Sequence, residues 1–159
     1  MRGVLLVIAA LGIALSAFAP NARAQAAKAP LHLCDTLAGN PIDPGHVGPG
    51  VATALLRPEP AIAACLEAVK LYPNEPRFAF QLGRAYRQAN KLDEALRWYT
   101  AAADKGYAGA INSIGVMYSA GEGVRADCNK AAEYFTRAAS LGYPAASDNL
   151  RTLGCVRQV

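Results

Sequence analysis

A segment of thirteen residues occurs twice in this chain, 36 positions apart. Ala95-Leu-Arg-Trp-Tyr-Thr-Ala-Ala-Ala-Asp-Lys-Gly-Tyr107 aligns with Ala131-Ala-Glu-Tyr-Phe-Thr-Arg-Ala-Ala-Ser-Leu-Gly-Tyr143, and six of the thirteen positions are identical. Two further pairs, Trp98/Tyr134 and Tyr99/Phe135, keep an aromatic. A repeat of this length with helical spacing marks a solenoid of stacked helix pairs, because one such unit cannot bury its apolar face alone. The fold class expected is therefore all-α, an α-solenoid of antiparallel helix pairs. Such an architecture presents a surface for other proteins more readily than a catalytic pocket.

Punctuation residues divide the rest. Leu31–Leu37 reads as a short helix, and Gly39–Gly50, with four glycines and three prolines, reads as irregular. Pro60 sits in the first turn of a helix that Pro73 stops near Leu71, and Pro76 opens another to about Ala89. Asp93–Lys105 and Ala108–Ala120 follow, the first closed by Gly106. Asp127 caps a helix to Leu141, Gly142 repeats the role of Gly106, and Pro144 starts a last helix ending near Gly154. Within the pairs, Leu82-Gly83 with Tyr86 matches Ile114-Gly115 with Tyr118, where glycine lets a neighbouring helix come close. Trp98, Tyr99, Tyr134 and Phe135 are expected to fill the layer between units.

The first residues read as an export signal. Arg2 precedes an apolar run from Val4 to Ala19, and Ala22-Arg23-Ala24 offers small residues at peptidase spacing. Cleavage is expected after Ala24 or Ala26, and retention as an anchor is the alternative; after cleavage no membrane span remains. Loss of Arg2 and Arg23 leaves 14 basic against 12 acidic residues, near +2. With no Lys/Arg run, nucleic acid is not an expected partner. The division expected is a signal peptide at 1–24, an irregular segment with a short helix at 25–59, a repeat domain at 60–155 and a tail at 156–159. Periplasmic or secreted localisation makes four cysteines a source of two disulfides. Residues equidistant from a helix-hairpin turn face each other, and the midpoint of Cys128 and Cys155 falls at Leu141-Gly142. That favours Cys128–Cys155 and leaves Cys34–Cys65.

The run Gly106-Tyr-Ala108, Ile114-Gly-Val-Met-Tyr118, Gly121-Glu-Gly-Val124, Asp127, Lys130-Ala131, Tyr134-Phe135, Ala138-Ala139 and Gly142-Tyr143 resembles a Sel1-like repeat. Phe78–Tyr107 is similar to the shorter tetratricopeptide repeat, since its inter-helix loop lacks the Gly-x-Gly-Val insertion. The third unit is a first helix alone. The resemblance implies a non-catalytic adaptor for a protein or peptide, often in bacterial envelope assemblies, with no cofactor or metal.

In such solenoids the first helix of each pair lines the concave face. Counting from the Leu-Gly landmark puts Arg77, Phe80, Arg84, Arg87 and Gln88 there, then Asn112 and Val116, then Asp148 and Arg151. Arg77, Arg84 and Arg87 share a helix face, and three arginines there are suited to clamping a carboxylate or acidic peptide. An enzyme or cell-wall ligand binder is the alternative, since some cysteine-rich relatives are linked to β-lactam binding. Ser147-Asp148-Asn149 reads Ser-Asp-Asn, but the chain has no Ser-x-x-Lys or Lys-Thr-Gly to accompany it. Gly121–Ala126 imitates a dinucleotide fingerprint but follows no expected strand. His32, Cys34, His46 and Cys65 match no standard zinc spacing. Two-and-a-half repeats also leave stacking surfaces at both ends, so self-association is a further expectation.

Overall fold

A computed structural model describes residues 29–153, so the expected signal segment, Cys155 and the C-terminal tail lie outside the described residues. The architecture is the all-α solenoid expected. Its helices are α1 (Leu33–Ala38), α2 (Pro58–Leu71), α3 (Pro76–Gln88), α4 (Leu92–Ala103), α5 (Ala108–Ala120), α6 (Cys128–Ser140) and α7 (Pro144–Thr152), with a short 3-10 turn at Thr53–Leu55. Each helix from α2 onward packs on the next, α3 on α4 and α5 on α6 most extensively. No helix among the described residues is long and apolar enough to cross a membrane.

Local chemistry explains the boundaries. Pro58, Pro76 and Pro144 occupy first turns, where their missing N–H has no helical partner to lose. Asp127 accepts from the Lys130 amide as the N-cap of α6. Gly106 and Gly142 take φ of 78° and 80°, the left-handed conformation that turns the chain from one pair into the next. The shorter loop between α3 and α4 makes its turn with Asn90 at φ 57°, a conformation Asn tolerates better than most side chains.

The repeat is a packing motif as well as a sequence one. A Cβ on Gly83 would stand 2.5 Å from the Tyr99 ring, and one on Gly115 would stand 2.7 Å from the Phe135 ring. In both units the second-helix aromatic presses into the notch left by the first-helix glycine. Tyr99 and Phe135 are buried as expected. Trp98 and Tyr134 are only partly so, and Tyr134 stacks on Tyr118 with ring centroids 5.6 Å apart.

The core divides about α3. Phe80 belongs to a cluster with Tyr99, Ile111, Ile114 and Met117 inside the repeats. Phe78, Leu82 and Ala85 belong to a second cluster with Cys34, Ala38, Leu56 and Cys65. Residues 29–57 are thus not an appendage. They form a strap that packs against α2 and α3 and closes the N-terminal end of the stack. Cys34 and Cys65 are bonded to each other, which pins the strap to α2. Cys128 is not a free thiol either. At the other end, α7 exposes Pro144, Ser147, Asp148, Arg151 and Thr152, a mostly polar outer face of the kind that caps a repeat array.

The Cys34–Cys65 bridge closes 31 residues of chain, for which loop-closure entropy predicts about 3–4 kcal/mol of stabilisation. A Cys34→Ala/Cys65→Ala variant should lose a comparable amount in urea denaturation followed by circular dichroism. Unchanged stability would show that the strap holds without its covalent pin.

Candidate functional site

The strap reshapes the face on which partner-binding residues were expected. Nine consecutive residues of α3, Arg77 to Ala85, are buried. Arg77 is fully buried beneath the strap and does not reach a groove, which corrects its assignment to a partner surface. Its Nε donates to Asp35 Oδ1 at 3.0 Å, and its Nη2 donates to the carbonyls of Ala29 and Pro30 at 2.8 Å each. Nη1 lies 2.8 Å from Glu75 Oε2, an ion pair without hydrogen-bond alignment. The guanidinium also lies over the Phe78 ring. Asp35 is equally engaged: Gln81 Nε2 donates to Oδ1 and the His32 amide to Oδ2, both at 2.9 Å. Taking such a pair out of water is tolerable only when nearly every polar atom finds a partner, as here.

Arg84 is turned to the strap as well. Its Nη1 donates to the Ala38 carbonyl at 2.6 Å, and its Nη2 donates to the Val51 carbonyl and Thr53 Oγ1 at 3.1 Å each. Burial pushes its pKa down from the ordinary arginine value. The open three-arginine clamp expected from spacing therefore does not form. The acceptors that take up two of its members come from a segment without helical periodicity, some thirty to fifty residues earlier.

A cleft remains beside the strap, with a volume of about 480 Å³. Phe80, Arg84, Arg87 and Gln88 of α3 line it with Asn112, Ser113 and Val116 of α5. These first-helix positions coincide with the groove expected from the repeat. The sequence reading missed contributions from three other parts of the chain: Asn40, Ile42 and Thr53 from the strap, Tyr99 from α4, and Glu122 from the loop after α5. Only the Gly-Glu-Gly loop carried a signal, and it pointed to a turn rather than to a charge. Asp148 and Arg151 do not line the cleft; they pair with each other on the exposed face of α7. The last pair contributes Tyr143 and Ala145 instead, because Asp148 and Arg151 lie on the exposed side of α7.

The polar groups of the cleft are ordered. Arg87 Nε and Nη2 donate to Glu122 Oε2 and Oε1 at 2.5 and 2.9 Å, a forked pair across the mouth. That bond holds the Glu122 carboxyl below the usual range and raises Arg87. Asn149 Nδ2 donates to Asn112 Oδ1 at 2.8 Å. Tyr107 donates its hydroxyl to buried Asp43, tying the strap loop to the start of α5. The Ser-Asp-Asn triplet is spent on packing: Asp148 pairs with Arg151, and Asn149 positions Asn112. The sulfurs of Cys34 and Cys65 are joined to each other, so they are not metal ligands.

Two outcomes test this site. Asp35→Ala leaves Arg77 buried without its counter-ion and should cost about 3–5 kcal/mol in urea denaturation. Asp148→Ala, which breaks an exposed pair, should leave stability nearly unchanged. The second outcome concerns pH. Burial pushes the Tyr99 phenol from 10.0 up to about 12. It also raises Tyr107, with help from the Asp43 charge. The native chain keeps these protons where the unfolded chain releases them, so stability is intact below pH 10 and falls as pH rises towards 12. Absorbance at 295 nm should show these two tyrosines ionising only with unfolding.

The family model described as Sel1 repeat matches residues 78–107 and 108–143. No curated protein matches the chain. Sel1 repeats generally mediate protein–protein interaction, and their all-helical fold is typically a non-catalytic scaffold.

Proposed function

We propose that this chain, a Sel1-repeat protein by the two units it carries, is a non-catalytic adaptor that holds a protein or peptide in the cleft beside its strap. The observation that carries the reading is the cleft itself. It lies between the strap and the first helices of the two repeats, where Phe80, Tyr99 and Val116 line it together with Arg84, Arg87, Asn112 and Glu122. Its volume of about 480 Å³ is within the ~300–1,000 Å³ range of ligand sites.

Export to the bacterial cell envelope belongs to the same proposal. Support comes from the apolar run at 4–19 with its small-residue site and from the Cys34–Cys65 bond, since such bonds persist in oxidising compartments.

A photo-crosslinking amino acid tests both parts. Incorporated at Val116 in the cleft, it should yield a discrete crosslinked protein in the periplasmic fraction. At Ser147, on the outer face of α7, it should yield none. Crosslinking at position 147 alone, or protein confined to the cytoplasm, would overturn the proposal.

A further inference from the structure

We infer that the outward side of α2 is a self-association face, on which a second copy of this chain packs its own α2 antiparallel about a two-fold axis. The inference concerns a surface away from the cleft and holds whatever the cleft receives.

Exposure is the first argument. α2 buries Ala61, Ala64, Cys65 and Ala68 in the cluster it shares with α1 and α3. Glu59, Ala63, Leu66 and Lys70 lie on the opposite side and are all exposed. They span about 60° of the helix circumference at 3.6 residues per turn, and their four-three-four spacing is that of a helix-pairing seam. Half-buried Ile62 flanks it. Of the seven large apolar side chains left exposed among the described residues, five belong to α1, α2 or the residues leading into them: Leu31, Leu33, Leu55, Leu66 and Leu71. Exposed apolar side chains gathered in one part of a fold mark an interaction surface.

Self-complementarity is the second argument. Residues 57–71 carry Arg57, Glu59, Glu67 and Lys70, so the surface is neutral and does not repel its own copy. An antiparallel pairing centred between Ala64 and Cys65 sets Glu59 against Lys70 of the partner subunit, and Lys70 against Glu59 of the partner subunit. Near the centre Ala63 meets Leu66 of the partner subunit, small against large, so the two backbones come close. Glu67 falls at the edge of the seam, beside Ile62 of the partner subunit. The same arrangement sets each helix N-terminus beside the other's C-terminus, the favourable order for their dipoles. A parallel pairing would oppose like charges at both positions.

Closure is the third argument. At the other end of the chain α7 exposes polar residues, so it offers no apolar face for a head-to-tail stack. The α2 face therefore meets itself, and an isologous contact stops at two copies. No residue of α2 lines the cleft, so both clefts stay open and the dimer is a bivalent form of the adaptor.

The test begins with sedimentation equilibrium of the oxidised protein, which should give twice the chain mass. Leu66→Glu should give the chain mass alone, with circular dichroism and urea midpoint unchanged, since Leu66 is 41% exposed. Glu59→Lys opposes Lys70 at two symmetry-related places and should weaken the dimer about tenfold, and Lys70→Glu should do the same. Mixing the two single variants, or combining them in one chain, restores opposite charges at both places. Either should return the wild-type affinity, a recovery that misfolding cannot produce. A photo-crosslinking amino acid at Ala63 should join two copies of this chain. The chain mass at every concentration, or crosslinks from position 63 only to a different protein, would overturn the inference. So would a dimer untouched by Leu66→Glu. A mass that keeps growing with concentration would overturn the closed pairing. Charge reversals that the mixture does not repair would overturn its antiparallel register.

Discussion

The buried contact between Asp35 and Arg77 is the constraint on which the rest of this structure depends. It places a carboxylate and a guanidinium, both fully excluded from water, between a six-residue helix and the first helix of the repeats. A helix as short as α1 has no stability of its own. It persists because Arg77, Gln81 and its own His32 cap consume the lone pairs of Asp35, and because Cys34 is bonded to α2. Arg84 then ties down the C-terminal end of α1 and the turn at Thr53. The strap so positioned covers the end of the solenoid that would otherwise be open and builds one wall of the cleft.

The two repeats share a simpler rule. A glycine on the first helix and an aromatic on the second meet closely in each unit, Gly83 with Tyr99 and Gly115 with Phe135. The close approach draws α3 onto α4 and α5 onto α6, and the inner faces of α3 and α5 line the cleft. A left-handed glycine after the second helix sets the angle to the next unit. The cleft is thus a product of repeat stacking, narrowed by the strap. Of three arginines available on α3, one is absorbed in the core, one is shared between strap and cleft, and one is bridged to the Glu122 loop. Their unequal fates give the cleft a small positive excess.

Much of the architecture was legible beforehand because it rests on local chemistry. Helical period, proline at helix starts, glycine at helix ends and the Asp127 cap are each properties of a few adjacent residues, so the expected boundaries fall within a residue or two of α3 to α7. The Cys34–Cys65 pairing also followed from chain geometry. The burial of Arg77 and Arg84 could not be read this way. Arginines seven apart on a helix carry the signature of a solvated face, and the acceptors that bury them are mostly backbone carbonyls, which every residue possesses. Asp148 and Arg151 were misplaced for a related reason: the repeat count gave their helix, but only packing shows that these two residues lie on its outward side.

The sequence by itself determined the helices, their order and the stacking of the repeats, because the 36-residue period writes the same short-range packing twice. Only the tertiary structure decided which residues of the concave face stay available to a partner. That depends on where an aperiodic, glycine- and proline-rich segment settles, and its docking is governed by desolvation of two arginines against distant acceptors rather than by any pattern along the chain.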